Sequence, residues 1–517
     1  MKKQRIFGNQ ERIMTSKSLK GNSHNQTKNM KQNLKSLQAA LCLVTSLGFT
    51  LLLSACHNIF NVSPFSSSEK FSSQHTNDIY ATLAATHHPR ILQAHGGAYH
   101  NPKLERLLID IVKKLAAVSH NPGQTYKVTI LDSSNINAFS LPGGYLYVTR
   151  GMLTLANDSS EVAAVLAHEI AHITAHHGIL RFQKEAQLKK TPLTHTDIVS
   201  SANSQTDDTL QKREKMAQFS RDQELQADSI GIEMLSEAGY DPFAASRFLQ
   251  SMEAYNAFRN ISGNAQSSLD FLETHPTTPQ RIRLAQEKAH LLNTRNSNEI
   301  SRDTFLHSID GIIFDGGLHE GYIRERKFIY PRLRISFEIP DRFIVNTSPH
   351  AVISSGPDKI AFRFDAVPIS GTISASDYLK SGWVANLDET SVNLIKIGNL
   401  EAARGRAFNE HWQFSIIVIP YDNHFLRFVT AAPHQSENFH HIVENILRGF
   451  RPLSWLELKR IKPLKIRTVR VKKGDSIVNF SQMIQDVPDK EKLFRILNGL
   501  TSTETLQVGS FVKIITE

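Results

Sequence analysis

Residues 157–178, NDSSEVAAVLAHEIAHITAHHG, decide how the chain is read. Asn157 or Asp158 suits a helix N-cap, Glu161 suits the first turn, and Val162, Val165, Leu166, Ile170 and Ile173 recur as a buried stripe. On such a helix His168 and His172 stand four apart, so both rings leave one face about 6 Å from each other, within reach of a single zinc ion through bonds of about 2.1 Å. Glu169 follows about 100° round the axis, beside the ion and outside its ligand set, where a carboxylate can take a proton from water that the metal has acidified.

That spacing is the H-E-x-x-H arrangement used by zinc proteases. Ordinary solvated histidines on a surface helix would satisfy it too. The flanking Ala163, Ala164, Ala167 and Ala171 argue for a helix deep in a core, where two histidines and a glutamate are costly without a metal or partners. A catalytic zinc needs a third protein ligand. The best candidate lies in FSRDQELQADSIGIEMLSEAGYDP (219–242), a helical run stopped by Gly239 and Pro242. Glu224 and Asp228 share a face there: Glu224 suits the metal and Asp228 the outer N–H of a ligand histidine, unless both simply face solvent.

The chain of 517 residues is too long for one core, and 40% hydrophobic with 21% charged residues is a globular balance. The formal charge of +10 is concentrated at the start: residues 1–55 carry nine Lys and Arg against Glu11 alone, leaving +2 for the other 462. A body so nearly neutral has no cationic surplus for phosphates, so nucleic acid is not an expected partner. The two cysteines, Cys42 and Cys56, build neither a disulfide framework nor a cysteine zinc site. The apolar run Ser36–Ala55 behind Lys31 and Lys35 reads as an export signal, with Met30 an alternative start and a single membrane-spanning helix the competing reading. It ends in Leu53-Ser54-Ala55-Cys56, which resembles a bacterial lipobox and implies that Cys56 is lipidated.

The pieces of residues 90–295 together resemble the HtpX and CAAX prenyl endopeptidase family of gluzincin zinc metallopeptidases. The matches, in order, are Asn137-Ala138-Phe139 with Leu141-Pro142-Gly143-Gly144; His168-Glu169-Ile170-Ala171-His172; His177 after His176, where the family has an R-H pair; Glu224-Leu225-Gln226-Ala227-Asp228 through Gly231; and His275-Pro276 with Arg281. The resemblance implies one zinc per chain on His168, His172 and Glu224, with Glu169 as general base and acid. It implies that Asp228 holds a ligand histidine from behind, that Arg281 makes a structural ion pair, and that Asn137, Pro142, Gly143 and Gly144 contact substrate. The strand after Gly144 would form the cleft edge and pair with an extended substrate. For His275 three roles stay open: oxyanion donor, occupant of the free zinc position, or structural histidine.

Past about Asn298 helical periodicity fades. Strand candidates are Leu333–Ile339, Lys359–Phe364, Trp412–Ile419 and Leu426–Thr430, with an amphipathic helix near Glu437–Leu447. The stretch Thr468–Ile515 resembles a LysM module, a βααβ unit that binds N-acetylglucosamine polymers, in Val471-Lys472-Lys473-Gly474-Asp475, Leu497-Asn498-Gly499-Leu500 and Val512-Lys513-Ile514.

The expected fold is α+β: signal peptide with lipobox (1–55), tether (56–89), mainly helical zincin-type metallopeptidase domain (90–298), α+β accessory domain (299–455) and LysM-like module (466–517). The expected function is a lipid-anchored endopeptidase of misfolded or misassembled envelope proteins, similar to the BepA-like assembly-enhancing branch. With His57 rather than aspartate after the anchor, it would sit on the outer membrane facing the periplasm. Peptidoglycan and the β-barrel assembly machinery are the implied partners. The competing class is a noncatalytic cell-wall-binding or chaperone-like scaffold on a protease-derived fold.

Overall fold

A computed structural model describes residues 73–190, 204–261, 271–272, 275–276, 278–292, 302–484 and 489–517. The expected export signal and lipobox, Cys56 included, lie outside the described residues. The expected tether is helical from Ser73 on: α1 (Ser73–Ala94) packs its second half on the protease domain, with Ala84 buried and His88 Nδ1 2.8 Å from the Tyr147 hydroxyl. A Ser- and Asn-rich composition hid that docking, because the aromatic surface that holds α1 is supplied by a distant strand.

In α2 (Pro102–Ala117) the Asn101 side chain accepts from the amides of Lys103 and Leu104, and Leu104, Leu108, Ile111 and Leu115 are buried. Strands β1 (Lys127–Leu131), β2 (Ala138–Leu141) and β3 (Tyr145–Thr149) form a sheet in the order β1-β3-β2. β1 runs parallel to β3, and β2 pairs with β3 antiparallel. β3 is therefore central and β2 is the edge, which corrects the expectation that the strand after Gly144 borders the cleft. Gly144 has φ +88°, and a Cβ there would lie 2.0 Å from the Thr125 carbonyl, so this hairpin accepts only glycine.

Helices follow: α3 (Arg150–Leu155), α4 (Ser159–Thr174), α5 (His177–Lys190), α6 (Ser204–Glu237), α7 (Ala244–Ile261), α8 (Pro279–Leu292) and α9 (Arg302–Ile309). The Asp158 carboxylate caps α4 by accepting from Glu161 N, and the alanines of α4 are buried. α6 crosses α4 so closely that a Cβ on Gly231 would stand 3.2 Å from His168 N. That approach sets Glu224 and Asp228 opposite the two histidines.

Next come β4 (Tyr322–Arg324), β5 (Lys327–Tyr330), β6 (Ile335–Glu338), β7 (Ile344–Thr347), β8 (Val352–Ser355), β9 (Ala361–Pro368), α10 (Ala375–Leu379), β10 (Leu387–Ile397), β11 (Leu400–Phe408), β12 (Trp412–Tyr421), β13 (His424–Pro433), α11 (Phe439–Arg448) and β14 (Arg451–Pro452). They build a seven-stranded antiparallel sheet, β10-β11-β12-β13-β9-β8-β7, and a four-stranded one, β14-β6-β5-β4. Phe328, Phe337, Phe362, Phe364 and Phe428 fill the space between them, and Phe439, Val443 and Ile446 of α11 close it.

After α12 (Trp455–Arg460), the chain runs β15 (Lys465–Arg470), α13 (Ile477–Gln482), α14 (Lys490–Leu497) and β16 (Phe511–Thr516), the βααβ order read from sequence. This unit is not set apart. Ile466, Phe494, Val512 and Ile514 share one core with Leu104, Leu153 and Phe305. Phe305 belongs to α9, so that helix sits with the protease domain and not with the accessory sheets where the sequence boundary placed it. Lys513, fully buried, donates to the carbonyls of Thr154, Leu155 and Ala156 at 3.0, 3.1 and 2.7 Å, closing the C-terminal end of α3. Among the described residues no helix is long and apolar enough to cross a membrane.

Candidate metal centre

Four side chains from three segments converge. α4 supplies His168 and His172, α6 supplies Glu224, and the segment before α8 supplies His275, with one ligand atom from each lying within 4.8 Å of all the others. His168 Nε2 is 3.0 Å from His172 Nε2, 3.2 Å from His275 Nδ1 and 3.4 Å from Glu224 Oε2. Glu224 Oε1 lies 3.5 Å from His172 Nε2 and 3.1 Å from His275 Nδ1. A tetrahedral ion with bonds of about 2.1 Å spaces its ligands by about 3.4 Å, so these separations are those of the edges of one zinc coordination shell. Three imidazoles and a carboxylate are also the donor set that zinc takes.

The charges within the group set its proton affinities. Burial opposes charge on His168, but the Asp228 and Glu224 carboxylates outweigh it and raise the imidazolium to about 10. Burial and the neighbouring His168 charge hold His172 well below the usual imidazole range, leaving it the lone pair a ligand needs. Burial would raise Glu224, yet its hydrogen bonds with His168 and His275 hold it well below the usual carboxylate range, ionised.

Around the ligands the supports are dense. His168 Nδ1 is 3.0 Å from Asp228 Oδ1. Arg281, 3% exposed, holds both Asp228 oxygens at 2.7 Å and reaches Glu224 Oε2 at 3.0 Å, so its guanidinium balances two carboxylates. Glu169, 1% exposed, receives the Ser140 hydroxyl on Oε2 at 2.9 Å. Its Oε1 has no hydrogen-bond partner among the described residues and lies 3.6 Å from His275 Nε2.

A cleft of about 480 Å³ opens onto this group, bordered by Phe139, Ser140, Pro142, Gly143 and His177. Of the expected substrate contacts, Pro142 and Gly143 border it. Asn137 and Gly144 do not: Asn137 bonds through its backbone to Thr149, and Gly144 is needed where the chain passes Thr125. Ser140 was missed in the sequence, since a serine between Phe139 and Leu141 carries no signal of a partner 29 residues away. His177 was noted only as a matching position, yet its ring touches His172 at 2.9 Å.

Residues 102–289 match the profile of peptidase family M48. They form an M48 peptidase domain. The family is zinc-dependent, in keeping with the group of four ligands. The chain is similar to mitochondrial metalloendopeptidase OMA1 of Schizosaccharomyces pombe, at 29% identity over 42% of this chain and 60% of that one. It is similar to the protein of the same name in Arabidopsis thaliana, at 33% identity over 33% of each chain. The β-barrel assembly-enhancing protease of Yersinia pestis matches at 27% identity over 39% of this chain and 42% of its own. The chain thus spans between a third and three fifths of these relatives.

Proposed function

We propose that this protein is a zinc metalloendopeptidase that cleaves misfolded or misassembled proteins of a bacterial envelope. The observation that carries the reading is the meeting of His168, His172 and Glu224 at coordination-shell distances with the buried Glu169 carboxylate beside them. Zinc, when bound, supplies Lewis acidity, polarising a carbonyl and bringing the pKa of water to about 7. The chain supplies the rest. Glu169, pinned through Oε2 by Ser140, presents Oε1 to accept the proton and return it to the leaving amine. The outer edge of β2, which pairs with no further strand among the described residues, would take an extended substrate, giving affinity with little side-chain selectivity. His275 Nδ1, 3.2 Å from His168 Nε2 and 3.1 Å from Glu224 Oε1, would hold the metal together with the other three, and its ring would have to give way for substrate to enter.

In this reading Cys56 is the lipid anchor, on the periplasmic face of the outer membrane. The substrate class is supported by relatives whose name is β-barrel assembly-enhancing protease. A link to the β-barrel assembly machinery and contact of the C-terminal unit with peptidoglycan complete the proposal. Glu169→Gln in the full-length protein should keep its zinc and its fold and lose about 10²–10⁴ in cleavage of an unfolded protein substrate. Cleavage at the parent rate would overturn the role of Glu169, and a parent protein that cleaves nothing would favour the scaffold reading. Equal palmitate label in the parent and Cys56→Ala would overturn the anchor.

A further inference from the structure

We infer that His177 is a positioning residue that fixes the ring of His172 for zinc, through a directed order of hydrogen bonds running from His172 to His177 to Gln226. The inference rests on the reading of His172 as a metal ligand. His172 turns Nε2 towards the cluster, 3.0 Å from His168 Nε2 and 3.5 Å from Glu224 Oε1. A neutral imidazole carries one N–H, so a ring that offers its Nε2 lone pair to a metal must hold the proton on Nδ1. That Nδ1 is 2.9 Å from His177 Nδ1, which must then accept. The His177 proton is left on Nε2, 3.1 Å from Gln226 Oε1, an amide oxygen that only accepts. The order is thus set independently from both ends: from the ion, because a ligand nitrogen cannot keep its proton, and from Gln226, because its oxygen cannot donate.

The backbone is shaped to make this contact. α4 ends at Ala175, and His176 turns the chain with φ +55°, a left-handed conformation unfavourable for a residue with a Cβ. The turn brings His177, 3% exposed, back against the last turn of α4, with the two rings edge to face at 4.9 Å. Gln223 Nε2 donates to the His177 carbonyl at 3.0 Å. α6 therefore presents Gln223 and Gln226 to hold the backbone and ring of His177, and between them Glu224 to hold the metal. The two histidine ligands differ in consequence: His168 leans on a carboxylate, Asp228, and His172 on a neutral imidazole.

The test is the zinc dissociation constant of the full-length protein, measured by competition with a chromogenic chelator. His177→Phe fills the space and cannot accept, and should weaken zinc binding about 10–100-fold. His177→Asn packs worse but sets an amide oxygen near the place of Nδ1, and should recover most of the affinity. Gln226→Leu, which leaves His177 in place and frees its proton to sit on either nitrogen, should weaken binding several-fold. Packing alone demands the reverse order, Phe above Asn. Asn no tighter than Phe, or Phe at the parent value, would overturn the inference while leaving the ligand set intact. A parent protein that binds no zinc would overturn the ligand set itself, and this inference with it.

Discussion

The Ser140 hydroxyl donates to Glu169 Oε2 at 2.9 Å, and the other oxygen of that carboxylate, Oε1, accepts no hydrogen bond among the described residues. One oxygen is held and one is left for the proton. Removing the holding contact should let the carboxylate turn without disturbing the metal. Ser140→Ala is expected to lower kcat about tenfold with zinc content unchanged, and Ser140→Thr to retain most activity, as read from steady-state peptide cleavage. Equal rates for alanine and parent would show that the contact does not position Glu169.

Lys513 joins the C-terminal unit to the protease domain through three carbonyls at the end of α3. Lys513→Met fits the space but takes the donor from the buried Thr154 and Ala156 carbonyls and leaves Leu155 only the Asn157 amide, at a cost of about 3 kcal/mol. Denaturant unfolding should show a lower midpoint in a single transition, because the two parts share a core. A separate early transition for the C-terminal unit would contradict that unity.

Glu161, near the start of the zinc helix, is 2% exposed and accepts from Asn157 N at 2.8 Å. Burial, reinforced by the charge of Asp158, pushes its carboxyl up to about 7 from an ordinary value of 4.5. The folded protein therefore holds this proton more firmly than the unfolded chain does. The resulting stability is complete below pH 4.5 and is lost as the pH rises through about 7. Denaturation midpoints between about pH 5 and pH 8 should fall less steeply in Glu161→Gln than in the parent. Parallel slopes would contradict the shift.

What could be read from the sequence was what lies close along it. The caps, the alanine-lined stripe and the His168–His172 spacing are consequences of one helix, and Glu224 with Asp228 of another, so four-residue spacing carried both. The βααβ order of the C-terminal unit came instead from the resemblance to a LysM module. Its attachment was not legible: Lys513 reaches partners 357–359 positions away, and alternation along VKIIT gives no hint that both faces of that strand are covered. The edge position of β2 depends on β1 pairing with β3 across the hairpin, a choice that strand patterns leave open. The contact of His177 with His172 was not legible, because it comes from the left-handed turn at His176, which no residue preference announces.

The most direct measurement is anomalous scattering at the zinc absorption edge from crystals of the full-length protein. The expected result is one strong peak per chain, about 2.1 Å from His168 Nε2, His172 Nε2 and a Glu224 oxygen. A zinc peak elsewhere, or a Glu224 side chain turned away from the two imidazoles, would contradict the assignment of this site as the centre of a metallopeptidase.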